Sequence, residues 1–121
     1  MYKSRMSQIR EMLKGHTPTL ILAVLDEGPR HGYAIAREIE RRSADALSLG
    51  EGSLYPALRA LEAEGLVTSQ WEVQASGPAR KVYSLTETGR TELARRVSSW
   101  REFASAVEGV LKGAGRAPQP T

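Results

Sequence analysis

Arg80 and Lys81 stand side by side just beyond Gly77-Pro78, and Ser53, Tyr55 and Arg59 fall close together along an earlier stretch. Guanidinium and ammonium groups neutralise phosphates and release the counterions held there, while hydroxyls hydrogen-bond phosphate oxygens. These residue types suit a polyanion better than they suit a reaction. Ser53 is a poor nucleophile, because no second group in the sequence is placed to activate it. The chain has no cysteine and two histidines, which removes thiol chemistry, disulfides and cysteine–zinc sites. It carries no H-E-x-x-H and no glycine-rich phosphate loop. His31 reads as a turn residue more than as a ligand. The expectation is a binding protein and not an enzyme, with no metal and no cofactor.

Bulk charge supports a polyanionic partner only weakly. Seventeen Lys+Arg against fourteen Asp+Glu leave +3 at a sequence pI near 9.5. Residues 1–65 hold nine basic and nine acidic groups, and residues 66–121 hold eight and five. At 121 residues, 40% of them hydrophobic, the sequence suits one compact unit with a modest core. Met1 to Leu13 has no apolar segment of the signal-peptide kind. The longest apolar run, Leu20 to Leu25, is far below the ~20 residues that span a bilayer. A cytoplasmic protein without a membrane partner is expected.

The elements that must carry these side chains follow from periodicity. Met6, Ile9, Met12 and Leu13 share one helical face. Thr17-Pro18 reads as an N-cap followed by proline at the first helical position. Thr19 to Asp26, apolar nearly all round, predicts a buried central helix that Gly28-Pro29 ends. A third helix spans about Gly32 to Ser43, with Ile35, Ala36 and Ile39 inward and Arg37, Glu38, Arg41 and Arg42 outward. A fourth runs from about Gly52 to Glu64, closed by Gly65 in the left-handed conformation. Leu66 to Val73 and Arg80 to Leu85 read as two strands joined by turn chemistry at 74–79. Thr86 can cap a long last helix reaching about Lys112.

Helices followed by a β-hairpin give a mostly α (α+β) fold, in the order of a winged helix-turn-helix. Such a domain lays one helix in the DNA major groove and touches the flanking backbone with the hairpin. The candidate recognition helix is 51–62. At 100° per residue Leu54, Ala57, Leu58 and Leu61 face the core. Gly52, Pro56, Arg59 and Ala63 lie opposite, with Ser53 and Tyr55 on the flanks. That outer face is small and lightly charged, so a duplex can approach it closely. Pro56 is expected in the first turn or so, where its missing N–H costs little.

The residues themselves carry a resemblance. His31-Gly32-Tyr33, Gly52-Ser53-Leu54-Tyr55-Pro56-Ala57-Leu58, Leu61-Glu62-x-x-Gly65-Leu66 and Arg80-Lys81-x-Tyr83-x-Leu85-Thr86-x-x-Gly89 follow one another in order. Over about residues 15–112 this resembles the PadR family of bacterial transcriptional regulators, in its short branch with a single C-terminal helix. The resemblance implies a cytoplasmic homodimeric repressor that binds double-stranded operator DNA of pseudo-palindromic sequence and is released by a small ligand in some members. It makes Tyr33 a phosphate contact, with packing under the His31-Gly32 turn as the other reading. With Ser53, Tyr55, Arg59, Arg80 and Lys81, Tyr33 completes the candidate DNA-binding set. Many members carry lysines on the recognition helix. Here only Arg59 points outward, among Glu51, Glu62 and Glu64.

The last helix is longer than so small a domain readily covers, because residues 90–112 extend roughly 30 Å at 1.5 Å per residue. Leu93, Val97, Trp100, Ala104, Val107 and Leu111 are spaced 4-3-4-3-4 along it, which suits a seam with a second subunit. In the family the partner's first helix usually joins that seam, which adds Met6, Ile9 and Leu13 here. Multidrug-responsive members stack flat apolar ligands on a tryptophan of this helix, so Trp100 and Phe103 become candidate contacts for a small apolar or aromatic effector. The expected organisation is a winged helix-turn-helix domain at 1–86, a dimerisation helix at 87–112 and a loose tail at 113–121. The alternative function is a winged helix used for protein–protein contact without DNA, which the weak charge bias favours.

Overall fold

The computed structural model describes residues 5–115, with side chains from Gln8 onward. The elements are α1 (Arg5–Leu13), α2 (Thr17–Leu25), β1 (Arg30–His31), α3 (Gly32–Arg42), α4 (Glu51–Ala63), β2 (Val67–Glu72), β3 (Arg80–Leu85) and α5 (Glu87–Leu111). This is the mostly helical winged fold expected. A three-stranded antiparallel sheet in the order β1-β3-β2 adds one strand to it. β1 pairs Arg30 with Tyr83 and His31 with Val82. Two residues are too few to show an alternation, so this strand exists only because β3 offers it a partner edge.

The centre is α2, where Ile21, Leu22, Val24 and Leu25 are all buried. An apolar helix of this kind must be covered on every side, and α3, α4 and α5 pack against it. Ile35 and Ile39 of α3 and Leu54, Leu58 and Leu61 of α4 supply the facing layer. Tyr83 and Val67 bring in the sheet. Leu13 and Leu93 also belong to this core, at 8% and 7% exposure. That leaves little of either side chain for a subunit seam. Apolar spacing marks a face that must be covered, and here the chain's own core covers both residues.

Two local details also differ from expectation. The N-cap of α2 is His16 and not Thr17, and no side chain caps that end. Pro56 lies in the second turn of α4, since the helix begins at Glu51. There its missing N–H leaves the Gly52 carbonyl without a helical donor, and both residues are exposed, so water can satisfy it. Other signals hold. Gly65 closes α4 at φ +77°. Thr86 caps α5 by accepting from the Gly89 N–H at 3.0 Å. The α3–α4 turn passes through left-handed backbone at Ala44 and Asp45, steadied by Ser43 Oγ, which donates to the Glu40 carbonyl and accepts from the Leu47 N–H.

The end of the hairpin, the turn after α4 and the start of α5 form one knot. Thr86 Oγ1 donates to the carbonyls of Gly65 at 2.7 Å and Leu66 at 3.1 Å, and the Thr86 N–H donates to the Leu66 carbonyl at 3.1 Å. A methyl group at Gly89 would stand 2.0 Å from the Leu66 oxygen. That atom is backbone and cannot swing aside, so Gly89 is required by contact and not by its dihedrals. Among the described residues no helix is long and apolar enough to cross a membrane. Residues 116–121, most of the expected tail, and the Met6 side chain lie outside the description.

Gly89→Ala is expected to destabilise the fold by about 3 kcal/mol, the upper end of ordinary overpacking, because helix and turn must separate. Urea unfolding against the parent chain measures it. A change below roughly 1 kcal/mol would show that the knot yields.

Candidate nucleic-acid interface

α4 is set at its place by a contact across the helix-turn-helix. Gly32 starts α3 and is buried, and the half-buried Tyr55 ring of α4 covers it. A Cβ added at Gly32 would stand 2.9 Å from Tyr55 Cε1 and 3.0 Å from its hydroxyl oxygen. The tyrosine under the His31-Gly32 turn is thus Tyr55. Tyr33 points away, 69% exposed, with the Arg37 guanidinium 5.9 Å from its ring centre. Of the two readings of Tyr33, the packed one is removed.

With its buried side docked, α4 presents Gly52, Ser53, Pro56, Arg59, Ala60 and Ala63 to solvent. Glu62 is drawn off this face, because it accepts a hydrogen bond from Ser69 Oγ at 2.6 Å. Tyr83 links α4 to the hairpin. Its phenol is pushed above the ordinary tyrosine range, first by burial and then by Glu62 and Tyr55, with Arg59 opposing. Lys81 Nζ lies 5.9 Å from the Tyr83 ring centre and equally far from that of Trp71. Tyr83 thus packs in the core between α4 and the face of the wing that carries Lys81.

Register separates the two wing cations. Trp71 pairs with Lys81 and Glu72 with Arg80, and successive side chains of a strand point to opposite faces. Lys81 shares a face with Tyr83 and so looks toward α4, while Arg80 shares the other with Val82. His31, paired with Val82, brings Nε2 to 3.6 Å from Glu72 Oε1, and its Nδ1 is buried with no partner among the described residues. Gln74 steadies the hairpin turn by donating to the Pro78 carbonyl at 2.5 Å.

Ion pairing shows which cations are free for a partner. Glu38 accepts from Arg41 and Arg42, and those bonds hold its carboxyl at about 2, well below the usual range. Glu92 is held at about 2 by Arg95 and Arg96 in the same way. Glu27 engages Arg30 and Arg42, and Asp26 engages Arg90 at 2.7 Å. Arg37, Arg59, Arg80 and Lys81 have no carboxylate within ion-pair distance among the described residues. All four lie on α3, α4 or the wing; Arg10, Lys14, Arg101 and Lys112, on or beside α1 and α5, are likewise without one among the described residues. Arg37 and Trp71 are the residues that sequence reasoning missed. The sequence shows Arg37 only as an outward charge, and an outward position does not reveal whether a carboxylate neutralises it.

The second surface is the far half of α5. Trp100 is 49% exposed, with His16 edge-on to it at 5.0 Å and Phe103 tilted at 6.4 Å. Val110 and Leu111 are exposed, Ala104 and Val107 half-buried. Val97 is half-buried against the chain's own core. Ile9 of α1, also half-buried, lines a cleft of about 550 Å³ with Leu13 and the Ala44–Ala46 turn.

The chain is similar to known proteins in sequence and in fold. A family model described as the transcriptional regulator PadR-like family matches residues 21–95. A transcriptional regulator of Mycobacterium tuberculosis is 33% identical over 101 residues, 84% of this chain and 91% of that protein. The negative transcriptional regulator PadR of Bacillus subtilis is 32% identical over 73 residues, 60% of this chain and 40% of that protein. A PadR family regulator from Eggerthella lenta superposes with a TM-score of 0.77 at 29% identity, covering 88% of this chain and 91% of that one. A PadR-like regulator from Bacillus cereus gives 0.73 at 28% identity, over 85% and 98%.

Gly32→Ala separates docking from folding. The group a methyl would meet is a side chain that can shift, so the thermal midpoint should fall by only a few degrees, as for a loss near 1 kcal/mol. DNA affinity should fall about tenfold or more, because α4 loses its seat. Anisotropy titration beside a thermal melt tests this, and unchanged affinity would contradict the role given to Tyr55.

Proposed function

The chain belongs to the PadR-like family of transcriptional regulators, and from that premise we propose that it is a homodimeric repressor of its own or a neighbouring operon. Its DNA-binding winged helix would lay α4 of each protomer in a major groove of a pseudo-palindromic operator. Ser53 and Arg59 meet the duplex from α4, Tyr33 and Arg37 contact phosphates from α3, and Arg80 and Lys81 do so from the wing. Tyr55 acts by seating α4 and touches DNA at most by its edge. The observation that carries this reading is the set of cations left without carboxylates on α3, α4 and the wing, beside an outer α4 face small enough for close approach. A net charge of +3 understates such a surface, because the remaining arginines described are largely spent on internal pairs.

Two chains are needed to complete the molecule. Residues 1–86 serve as the DNA-binding part and 87–112 as the dimerisation helix. Trp100, Phe103, Val107, Val110 and Leu111 form the seam, with Ile9 of the partner's first helix joining it. Exposed aromatic and aliphatic surface of this extent on one helix favours a subunit interface. Trp100 and Phe103, flanked by His16, would also offer an apolar effector two rings to stack on where the subunits meet.

A duplex selected by the full chain from a random-sequence library serves as probe. Arg59→Ala and Arg80→Ala should each weaken binding about tenfold and lower the dependence of log affinity on log salt by about one. Two silent variants would remove the contact assignment. Leu111→Asp should convert a dimer to a monomer in sedimentation and abolish tight binding of the duplex. A parent chain that sediments as a monomer would contradict the shared helix. Quenching of Trp100 emission by a planar apolar compound, with release of the duplex, is the outcome expected for an effector site, and neither change would be seen without one.

A further inference from the structure

The wing carries an apolar group that nothing in the fold covers. Trp71 is 68% exposed and Val73, beyond it on the same face, is 88% exposed. That face is continuous with the buried side of the sheet. Along β2 it runs from Val67 in the core, through Ser69 bonded to Glu62, to Trp71 paired with Lys81. The hairpin therefore overruns α4, and its last inward-facing residues project past the core on the side where α4 lies. Trp71 and Val73 together bare an apolar patch rimmed by polar residues, the composition of an interaction surface. Beside the Trp71 ring stands an ammonium whose neighbours are two aromatic faces and, among the described residues, no carboxylate.

We propose that Trp71 is a DNA contact, its ring lying on the deoxyribose face of the strand that flanks the groove holding α4, while Lys81 binds the adjacent phosphate. This inference rests on the DNA-binding reading above and adds to it a residue of a different kind. The occupant is fixed by two features. A sugar–phosphate strand presents an apolar ring face and an anion within one nucleotide, which matches an indole beside an ammonium. The patch also lies two residues along β2 from Ser69, which bonds Glu62 of α4, so a duplex seated on α4 lies beside it. A sugar contact carries no base information, so Trp71 adds affinity and sets the distance between wing and helix.

Because the contact is apolar, it separates from the ionic ones by salt dependence. Trp71→Ala should weaken binding of the library-selected duplex about tenfold, as for an aromatic ring returned to water, and leave the salt slope unchanged. Trp71→Phe should restore most of the affinity. Lys81→Ala should lower the slope by about one. At saturating duplex, the emission change of the parent chain minus that of Trp71→Phe should be a clear shift and loss of acrylamide quenching. The residue is exposed, so thermal midpoints should match and exclude misfolding. Unchanged affinity in Trp71→Ala while Arg59→Ala is impaired would overturn this inference and leave the DNA-binding reading standing. A fall in salt slope, or loss of dimer on sedimentation, would assign Trp71 to another role and also overturn it. Recovery of no duplex from the library would overturn both.

Discussion

The start of α5 lies so close to the turn after α4 that Gly89 has room for a hydrogen and nothing larger, and Thr86 binds the carbonyls of Gly65 and Leu66 beside it. Four elements meet there, since Gly65 and Leu66 join α4 to β2, and Leu85 ends β3 just before α5. The direction in which α5 leaves the domain is thereby tied to α4. For a regulator of this family that tie has a consequence. If α5 is shared between two chains, the same few atoms set the separation and relative orientation of two recognition helices.

Gly32 performs the corresponding task at the other side of α4. A ring against a backbone that lacks Cβ holds α3 and α4 closer than two ordinary side chains would. Both glycines are in motifs on which the family resemblance rests, and both act on position without touching a partner. Those motifs describe how the surface is aimed. The chemistry proposed for the surface lies instead in Arg37, Arg59, Arg80, Lys81 and Trp71, which stand outside the frame contacts made by the two glycines.

Much of this was legible in the sequence because the signals were local. The apolar α2, the Leu54–Leu58–Leu61 face, the Gly65 stop and the Thr86 cap each follow from a few neighbouring residues. The rest depended on which distant group arrives. Leu93 and Leu13 have the spacing of a seam, but spacing cannot say whose side chains fill the space beside them. For Tyr33 the sequence leaves phosphate contact and packing under its own turn both open, and only the packing of Tyr55 on Gly32 distinguishes them. β1 is too short to carry a pattern at all. Net charge is a poor guide for a related reason, since a sum does not say that Glu38 and Glu92 sit against Arg41, Arg42, Arg95 and Arg96 and leave cations elsewhere unpaired.

Shared between two chains as proposed, α5 would place two α4 helices in successive major grooves on one face of a duplex. Hydroxyl-radical footprinting of the full chain on its selected duplex tests it most directly. Two protected stretches related by a dyad, with α4 sites about 10 base pairs apart or a multiple of that, are expected. One isolated protected stretch without symmetry, or no protection at concentrations where the chain is dimeric, would contradict it.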